Sequence, residues 1–359
     1  MINVTQSFLP PMEEYIKHLE KIWASKQLTN HGPLVLELED KLRQYLGVKH
    51  FFFVTNGTIA LQIAIKALGL RNEVITTPFS YVATTSSLVW ESCKPVFADI
   101  DPNTCTIDVA SIEAQLNNKT TAILATHVYG NPCRVEEIQA LADTHGLSVI
   151  YDAAHAFGVR YKGRSVLEFG DISTLSFHAT KLFHTIEGGG VVTNNDELAH
   201  KIAYMRNFGH NGAEAFLGVG INGKSSEFQA AMGLCVLPHI PDLIRKRKAV
   251  SDLYTDLIEG LPLRKPELQI GTDQYNYAYF PVIFDTEAQL IKSIQFLNKN
   301  NIIPRRYFYP SLNTLNYVEN NLAFDISTDI SSRVLCLPLY DSLTADDVKL
   351  IVGVIRNAL

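Results

Sequence analysis

The 359-residue chain has only five cysteines, Cys93, Cys105, Cys133, Cys235 and Cys336, and no two of them stand in a CxxC spacing. An odd number with no close pair does not make a disulfide framework or a zinc site, so they read as buried thiols of a reducing compartment. Charge is scarce too: 19% of residues are charged, the formal net charge is -6, and no long basic run occurs. Nothing in that balance suits a nucleic-acid partner. There is no apolar run long enough to span a bilayer, and the opening MINVTQSFLPPMEEYIKHLEKIW lacks a basic start followed by an apolar stretch. Neither a membrane segment nor a signal peptide is expected, and composition points to a soluble, cytoplasmic protein. Internal repeats and low-complexity tracts are missing as well. So are a GxxxxGK[ST] loop, a GxGxxG at the first βα turn and a GxSxG elbow, which argues against a P-loop, a nicotinamide dehydrogenase and an α/β-hydrolase.

What is present is apolar material in a regular order. Hydrophobic residues make up 47% of the chain, enough for a large core and two domains. GPLVLELEDKLRQYLG reads as a helix: Pro33 suits its first turn, and Leu34, Leu38, Leu42 and Tyr45 recur at helical spacing. Short β-rich runs follow at 50–55, 73–78, 95–100, 121–128, 147–154, 174–177 and 190–194, with helical stretches such as IALQIAIKALG and RVEEIQALADTHG between them. Strands alternating with helices imply an α/β fold whose sheet is mostly parallel and covered on both faces. Near residue 238 the texture changes. PHIPDLIRKRKAVSDLYTDLIEGL reads as a long helix leading to a smaller α+β unit with strands near 277–284 and 334–339 and helices near 287–299 and from 344. The expected division is a large domain over 1–240 and a small one over 241–359.

Four segments invite chemistry. VTNGTIAL (54–61) is a strand, a tight turn and a helix start, where Gly57 lets a ligand approach free N–H groups and Thr58 adds a hydroxyl. Taken alone it is also an ordinary strand-to-helix turn. VIYDAAHAFG (149–158) ends a buried strand on Asp152, and a buried carboxylate needs a cationic or donor partner. The alternatives are a ligand such as a pyridinium nitrogen or a helix cap. His155, three residues on, reads by itself as a core histidine. TTPFSYVATTSS (76–87) offers Tyr81, either a ring for stacking on a flat ligand or plain packing. SFHATKLFHTIEGGG (176–190) sets Lys181 apart from other charges and ahead of three glycines, and an amine in such a place can form a Schiff base with an aldehyde. His178 and His184 have no acidic or cysteine partner at metal spacing, so no metal is expected.

These segments occur in an order that resembles the DegT/DnrJ/EryC1/StrS sugar aminotransferases, pyridoxal 5'-phosphate enzymes of the aspartate-aminotransferase (type I) fold. The resemblance runs from QLTNHGPLVLELE (27–39) to RRYFYPSLN (305–313). It implies a large domain with a seven-stranded, mostly parallel sheet and a smaller α+β C-terminal domain. It also implies that Lys181 bonds the cofactor and moves the proton, and that Asp152 pairs with the pyridinium nitrogen. Gly57, Thr58 and Ser176 fall on phosphate contacts, Tyr81 on the stacking aromatic and His155 on a further cofactor contact. Asn222, in GVGINGKSSEFQAAMG, falls on a residue that reaches the phosphate of a neighbouring subunit, implying a homodimer with composite sites. Lys224 departs from the family, which often has Arg there. A branch with His in place of the lysine is a dehydratase, and this chain keeps Lys181.

By the same resemblance the expected reaction is amination of a nucleotide-linked keto-deoxy sugar with glutamate as donor. His155 resembles the enzymes that aminate C4, which makes dTDP-4-keto-6-deoxyglucose the first choice of acceptor, on the way to an O-antigen or similar glycan. A 3-keto sugar aminotransferase and a non-catalytic, cofactor-binding regulator are the alternatives. Asn30, His184 and Tyr309 are candidates for the sugar pocket.

Overall fold

The computed structural model describes residues 1–318 and 324–359. Seven strands make the main sheet: β1 (His50–Val54), β2 (Glu73–Thr76), β3 (Lys94–Phe97), β4 (Thr120–Thr126), β5 (Ser148–Asp152), β6 (Ile172–Ser176) and β7 (Gly189–Thr193). Their order across the sheet is β1-β7-β6-β5-β4-β2-β3. All run parallel except β7, which is antiparallel to both neighbours, β1 and β6. The strands are almost wholly buried, as a sheet covered on both faces requires.

Helices α1 (Met12–Ser25), α2 (Pro33–Leu46), α3 (Gly57–Ala67) and α4 (Val82–Trp90) precede and intersperse the first strands. In α2 the stripe of Leu34, Leu38 and Leu42 faces inward as its spacing predicts, joined by Val35 and Leu46. A buried carboxylate anchors its start: Glu227 Oε2 and Oε1 accept the Leu34 and Val35 N–H groups, each at 2.9 Å. A side chain on Gly32 would meet the Glu227 carboxyl carbon at 2.4 Å, so the turn before α2 and the helix Glu227–Val236 fit together only through glycine.

The long helix Ile240–Ile258 leads to a second apolar cluster, built on the antiparallel strands β8 (Leu263–Arg264), β9 (Phe280–Phe284) and β10 (Val334–Leu337) and the helices Glu287–Lys299 and Ala345–Ala358. Residues Ile2–Asn3 pair in parallel with Ile302–Ile303, so the first residues of the chain lie on this second unit. Between the two units the segment 276–280 and the segment 305–308 reach back over the C-terminal ends of β4, β5 and β6. That is where open parallel sheets bind ligands.

Candidate active site

Those strand ends and the two reaching segments enclose a cavity of about 470 Å³. Asp152 is the last residue of β5, beside Thr126 of β4 and Thr174 of β6. It is only 6% exposed. Its Oδ2 accepts the Thr84 hydroxyl at 2.7 Å and its Oδ1 accepts the Ala154 N–H at 3.1 Å. Thr84 in turn lies 2.7 Å from the Ser80 hydroxyl, which lies 3.0 Å from that of Thr126. The hydroxyl chain aims the carboxylate into the cavity, yet no cation lies within ion-pair distance of it among the described residues. Burial therefore raises the Asp152 pKa, opposed by the Thr84 and Ala154 hydrogen bonds and by the charge of Lys181.

Lys181 sits on the loop that joins β6 to β7. Phe177, fully buried, anchors that loop against Phe51, Phe53, Phe157 and Phe183, and the loop closes through Phe177 N–H to Gly188 O at 2.8 Å. The lysine amine donates to the Tyr279 hydroxyl at 3.1 Å. Loss of water around the amine lowers the Lys181 pKa, while Asp152 pulls it the other way. The neutral amine that chemistry requires is thus favoured by the site itself.

The three glycines after Lys181 have a steric reason. A Cβ on Gly189 would lie 2.5 Å from the Asn56 carbonyl carbon and oxygen, one on Gly188 would lie 2.0 Å from the Thr185 hydroxyl, and one on Gly190 would lie 2.7 Å from the Phe51 ring. Strand β7 runs directly under the start of α3. There Asn56 Oδ1 caps the helix by accepting the Ile59 N–H at 2.9 Å. The N–H groups of Gly57 and Thr58 have no acceptor among the described residues and line the cavity. A Cβ on Gly57 would approach Ser176 to 3.0 Å, so this helix start, its dipole and the Ser176 hydroxyl form one anion-sized cradle.

His155 is buried, and its Nδ1 accepts the Tyr129 N–H at 3.2 Å, which leaves the ring proton on Nε2. Burial, and then the Lys181 charge, hold it well below the usual histidine pKa, so it is a neutral ring. Phe308 stacks on it, with centroids 5.6 Å apart. Tyr81, at the start of α4, is 54% exposed and lines the same cavity.

The structure therefore brings Gly57, Thr58, Tyr81, Asp152, His155, Ser176 and Lys181 around one cavity. It sets four other expected residues elsewhere. His184 is buried with its Nε2 2.7 Å from the Phe8 carbonyl. Tyr309 faces away, its ring 3.4 Å from the Arg306 guanidinium carbon. Asn30 borders a separate open pocket with His31, Phe208 and Lys224. Asn222 is exposed on the segment 207–222, paired across to Asn207. Sequence reading passed over Ser80, Thr84, Tyr279, Arg305, Tyr307 and Phe308. The RRYFYP motif held three of these, but it lies in a turn, where no strand alternation tells which side chains face inward.

These residues suit pyridoxal phosphate. The buried carboxylate without a cation matches a protonated ring nitrogen, the cradle of unpaired N–H groups matches a phosphate, and the Lys181 amine, its pKa lowered by burial, lines the same cavity. Comparison with known proteins agrees. The model of the DegT/DnrJ/EryC1/StrS aminotransferase family matches residues 11–356. A dTDP-4-amino-4,6-dideoxy-D-glucose transaminase of Shigella dysenteriae is 44% identical over 99% of this chain and 98% of its own length. A protein of the same name from Escherichia coli is 41% identical over 98% of each. Among solved structures, DesI in the presence of its TDP-sugar product superposes with a TM-score of 0.94 at 31% identity, covering 99% of this chain and 92% of that one. The chain belongs to the DegT/DnrJ/EryC1/StrS aminotransferase family and is a pyridoxal-phosphate-dependent enzyme of the corresponding α/β fold.

Proposed function

We propose that the protein transfers the amino group of glutamate to C4 of dTDP-4-keto-6-deoxyglucose, giving dTDP-4-amino-4,6-dideoxyglucose for an O-antigen or similar glycan in the cytoplasm. The observation that carries this reading is the 44% identity, over nearly the whole of both chains, to a relative named for that product. The two units of the fold and the neutral His155 beside the cavity are compatible with it. So is the absence, among the described residues, of any helix long and apolar enough to cross a membrane.

In this reading Gly57 and Thr58 N–H groups, with the Ser176 hydroxyl, hold the cofactor phosphate. Tyr81, which lines the same cavity, would pack against the cofactor ring. Bound pyridoxal phosphate supplies an aldehyde that takes up an amine and a pyridine ring that accepts an electron pair. Asp152 keeps a proton on the ring nitrogen, because a buried carboxylate next to a shared proton no longer bears the cost of its isolation. Lys181 Nζ would take the proton from the carbon that carries the donor nitrogen and give it back on the carbon at the far side of that nitrogen. The hydroxyl chain through Thr84, Ser80 and Thr126 holds Asp152 in one orientation, and the aromatic packing around Phe177 does the same for the lysine loop. The 207–222 segment, with Asn222 exposed on it, reaches the cofactor phosphate held by a second subunit in a homodimer.

The test is product analysis. With 15N-glutamate and dTDP-4-keto-6-deoxyglucose, the expected NMR signal is nitrogen on C4. Nitrogen appearing only on C3, and only from the 3-keto isomer, would overturn the substrate reading. In the same assay Lys181→Ala should abolish amination and leave no cofactor covalently trapped by borohydride; retained turnover would remove Lys181 from its role.

A further inference from the structure

One residue of the second unit touches the reacting amine, and no motif announced it. Tyr279 lies just ahead of β9, 98 residues from Lys181 in sequence, and its hydroxyl receives the Lys181 amine at 3.1 Å. The segment that delivers it is held at three points. Asn276, 1% exposed, donates through Nδ2 to the carbonyls of His155 at 2.7 Å and Phe157 at 3.0 Å, on the loop that follows Asp152. The Asn276 Oδ1 accepts the Ala278 N–H at 3.2 Å. Arg247, on the long helix Ile240–Ile258, donates through Nη1 to the Ala278 carbonyl at 3.3 Å.

Arg247 is unusual in its own right. It is 4% exposed, has no carboxylate within ion-pair distance among the described residues, and its Nε has no partner. Burial costs this guanidinium stability, offset in part by the charge of Asp341 beyond ion-pair distance. Its position one residue from Tyr279 gives it a use. Room for the arrangement is also specific: a Cβ on Gly130 would lie 2.8 Å from both Asn276 Oδ1 and the His155 carbonyl. The Tyr279 ring stands 4.7 Å from His155, so the phenol has little freedom to leave.

We propose that Tyr279 is a positioning residue for Lys181, the hydroxyl on which the amine rests whenever it is not bonded to the cofactor, and that Asn276 and Arg247 exist to hold that hydroxyl in place. The lysine is released and recaptured in every catalytic cycle. A long side chain freed in a cavity of this size has many rotamers, and a fixed hydrogen-bond partner reduces them to the one from which bond formation and proton transfer start. Burial holds the Tyr279 pKa above its usual value, so the group remains a neutral phenol that keeps its proton. The second unit thereby reports to the first: the amine is in register only when 276–279 is docked on the loop after Asp152.

The proposal rests on Lys181 being the residue that bonds the cofactor, and the experiment separates the two. Cofactor-free wild type and Tyr279→Phe are mixed with pyridoxal phosphate. Capture replaces the C=O bond of the aldehyde with a C=N bond to Lys181 Nζ, the aldehyde oxygen leaving as water with both protons of the neutral amine, and its rate is followed by absorbance. Borohydride and peptide mass then locate the bond. The affinity of each protein for pyridoxamine phosphate, which has no aldehyde to capture, is measured in parallel. The expected result is Lys181 labelled in both, pyridoxamine phosphate bound equally, and capture slower by about fivefold in Tyr279→Phe, the weight of one hydrogen bond. Arg247→Met should slow capture in the same direction, and the double variant no further than Tyr279→Phe alone. Label on another residue in wild type would overturn the role of Lys181. Wild-type capture in Tyr279→Phe, or an equal loss of pyridoxamine phosphate affinity, would overturn that of Tyr279. Should Tyr279→Phe fail to fold, wild-type capture in Arg247→Met overturns the proposal and slowed capture sustains it.

Discussion

Asp152 sets a conflict between stability and use in a single side chain. Its folded-state pKa is raised above 3.8. A raised carboxyl favours folding while both states are protonated, and that favour is lost as pH rises through the folded value, because the folded chain must then bury a charge. At neutral pH the cofactor-free protein carries that cost. Asp152→Asn should therefore melt at a higher temperature than wild type at about pH 8, by the equivalent of ~1 kcal/mol, and the gap should narrow toward pH 4. The same variant should lose amination by orders of magnitude, since an amide does not hold a proton on the ring nitrogen. Thermal melts of the cofactor-free proteins at the two pH values check the first half. A gap that widened in acid would contradict the assigned direction of the shift.

At the scale of elements, the contact between β7 and the start of α3 is a close one between two backbones. Gly189→Ala places a methyl 2.5 Å from the Asn56 backbone, which has no side chain to swing aside. We expect a loss of about 2–3 kcal/mol in stability and a larger fall in phosphate affinity than in sugar affinity, read from the dissociation constants of pyridoxamine phosphate and of a dTDP-sugar. Equal loss of both would mean that the change spreads through the sheet. The same contact shows what was legible in the chain. The strand-turn-helix at 54–61, the strand-end Asp152 and the Lys181–Gly190 run are contiguous, and each carries its reason locally: a strand end, a helix start, a glycine where no Cβ fits. The parallel sheet was legible for the same reason, through buried runs with helices between them. Thr84 and Tyr279 were not, because each acts through one hydroxyl brought from a separate element, and a lone threonine or tyrosine has no local pattern. In RRYFYP the chemistry was recognised but the face was not: Tyr307 and Phe308 enter the cavity, and Tyr309 stacks on Arg306 outside it. His184 was drawn in by its nearness to Lys181 in sequence, yet its ring bonds the Phe8 carbonyl at the far side of the loop. No local rule tells those faces apart.

At the scale of the whole molecule, the segment 207–222 leaves Phe208, Phe216, Leu217, Val219 and Ile221 exposed beside Asn222, an apolar group of the sort that a second subunit covers. If two chains complete each other's sites, a mixture of Lys181→Ala and Asn222→Ala proteins should recover activity that neither has alone, up to about a quarter of the wild-type value on statistical exchange. Activity equal to the mean of the two variants would mean that each chain is complete in itself. The cavity also has two unlike halves. Its base is built from strand ends, the α3 start and the glycines 188–190, where an added Cβ would meet the Asn56 backbone, the Phe51 ring or the Thr185 hydroxyl. Its cover, residues 276–280 and 305–308, is made of side chains on segments from the other unit. Diversification of this scaffold is therefore one-sided: a mutant library aimed at new sugars should hold 56–58 and 188–190 constant and draw its variation from Arg305, Tyr307 and Phe308, because only there can an acceptor of another shape be met without unseating the group that performs the transfer.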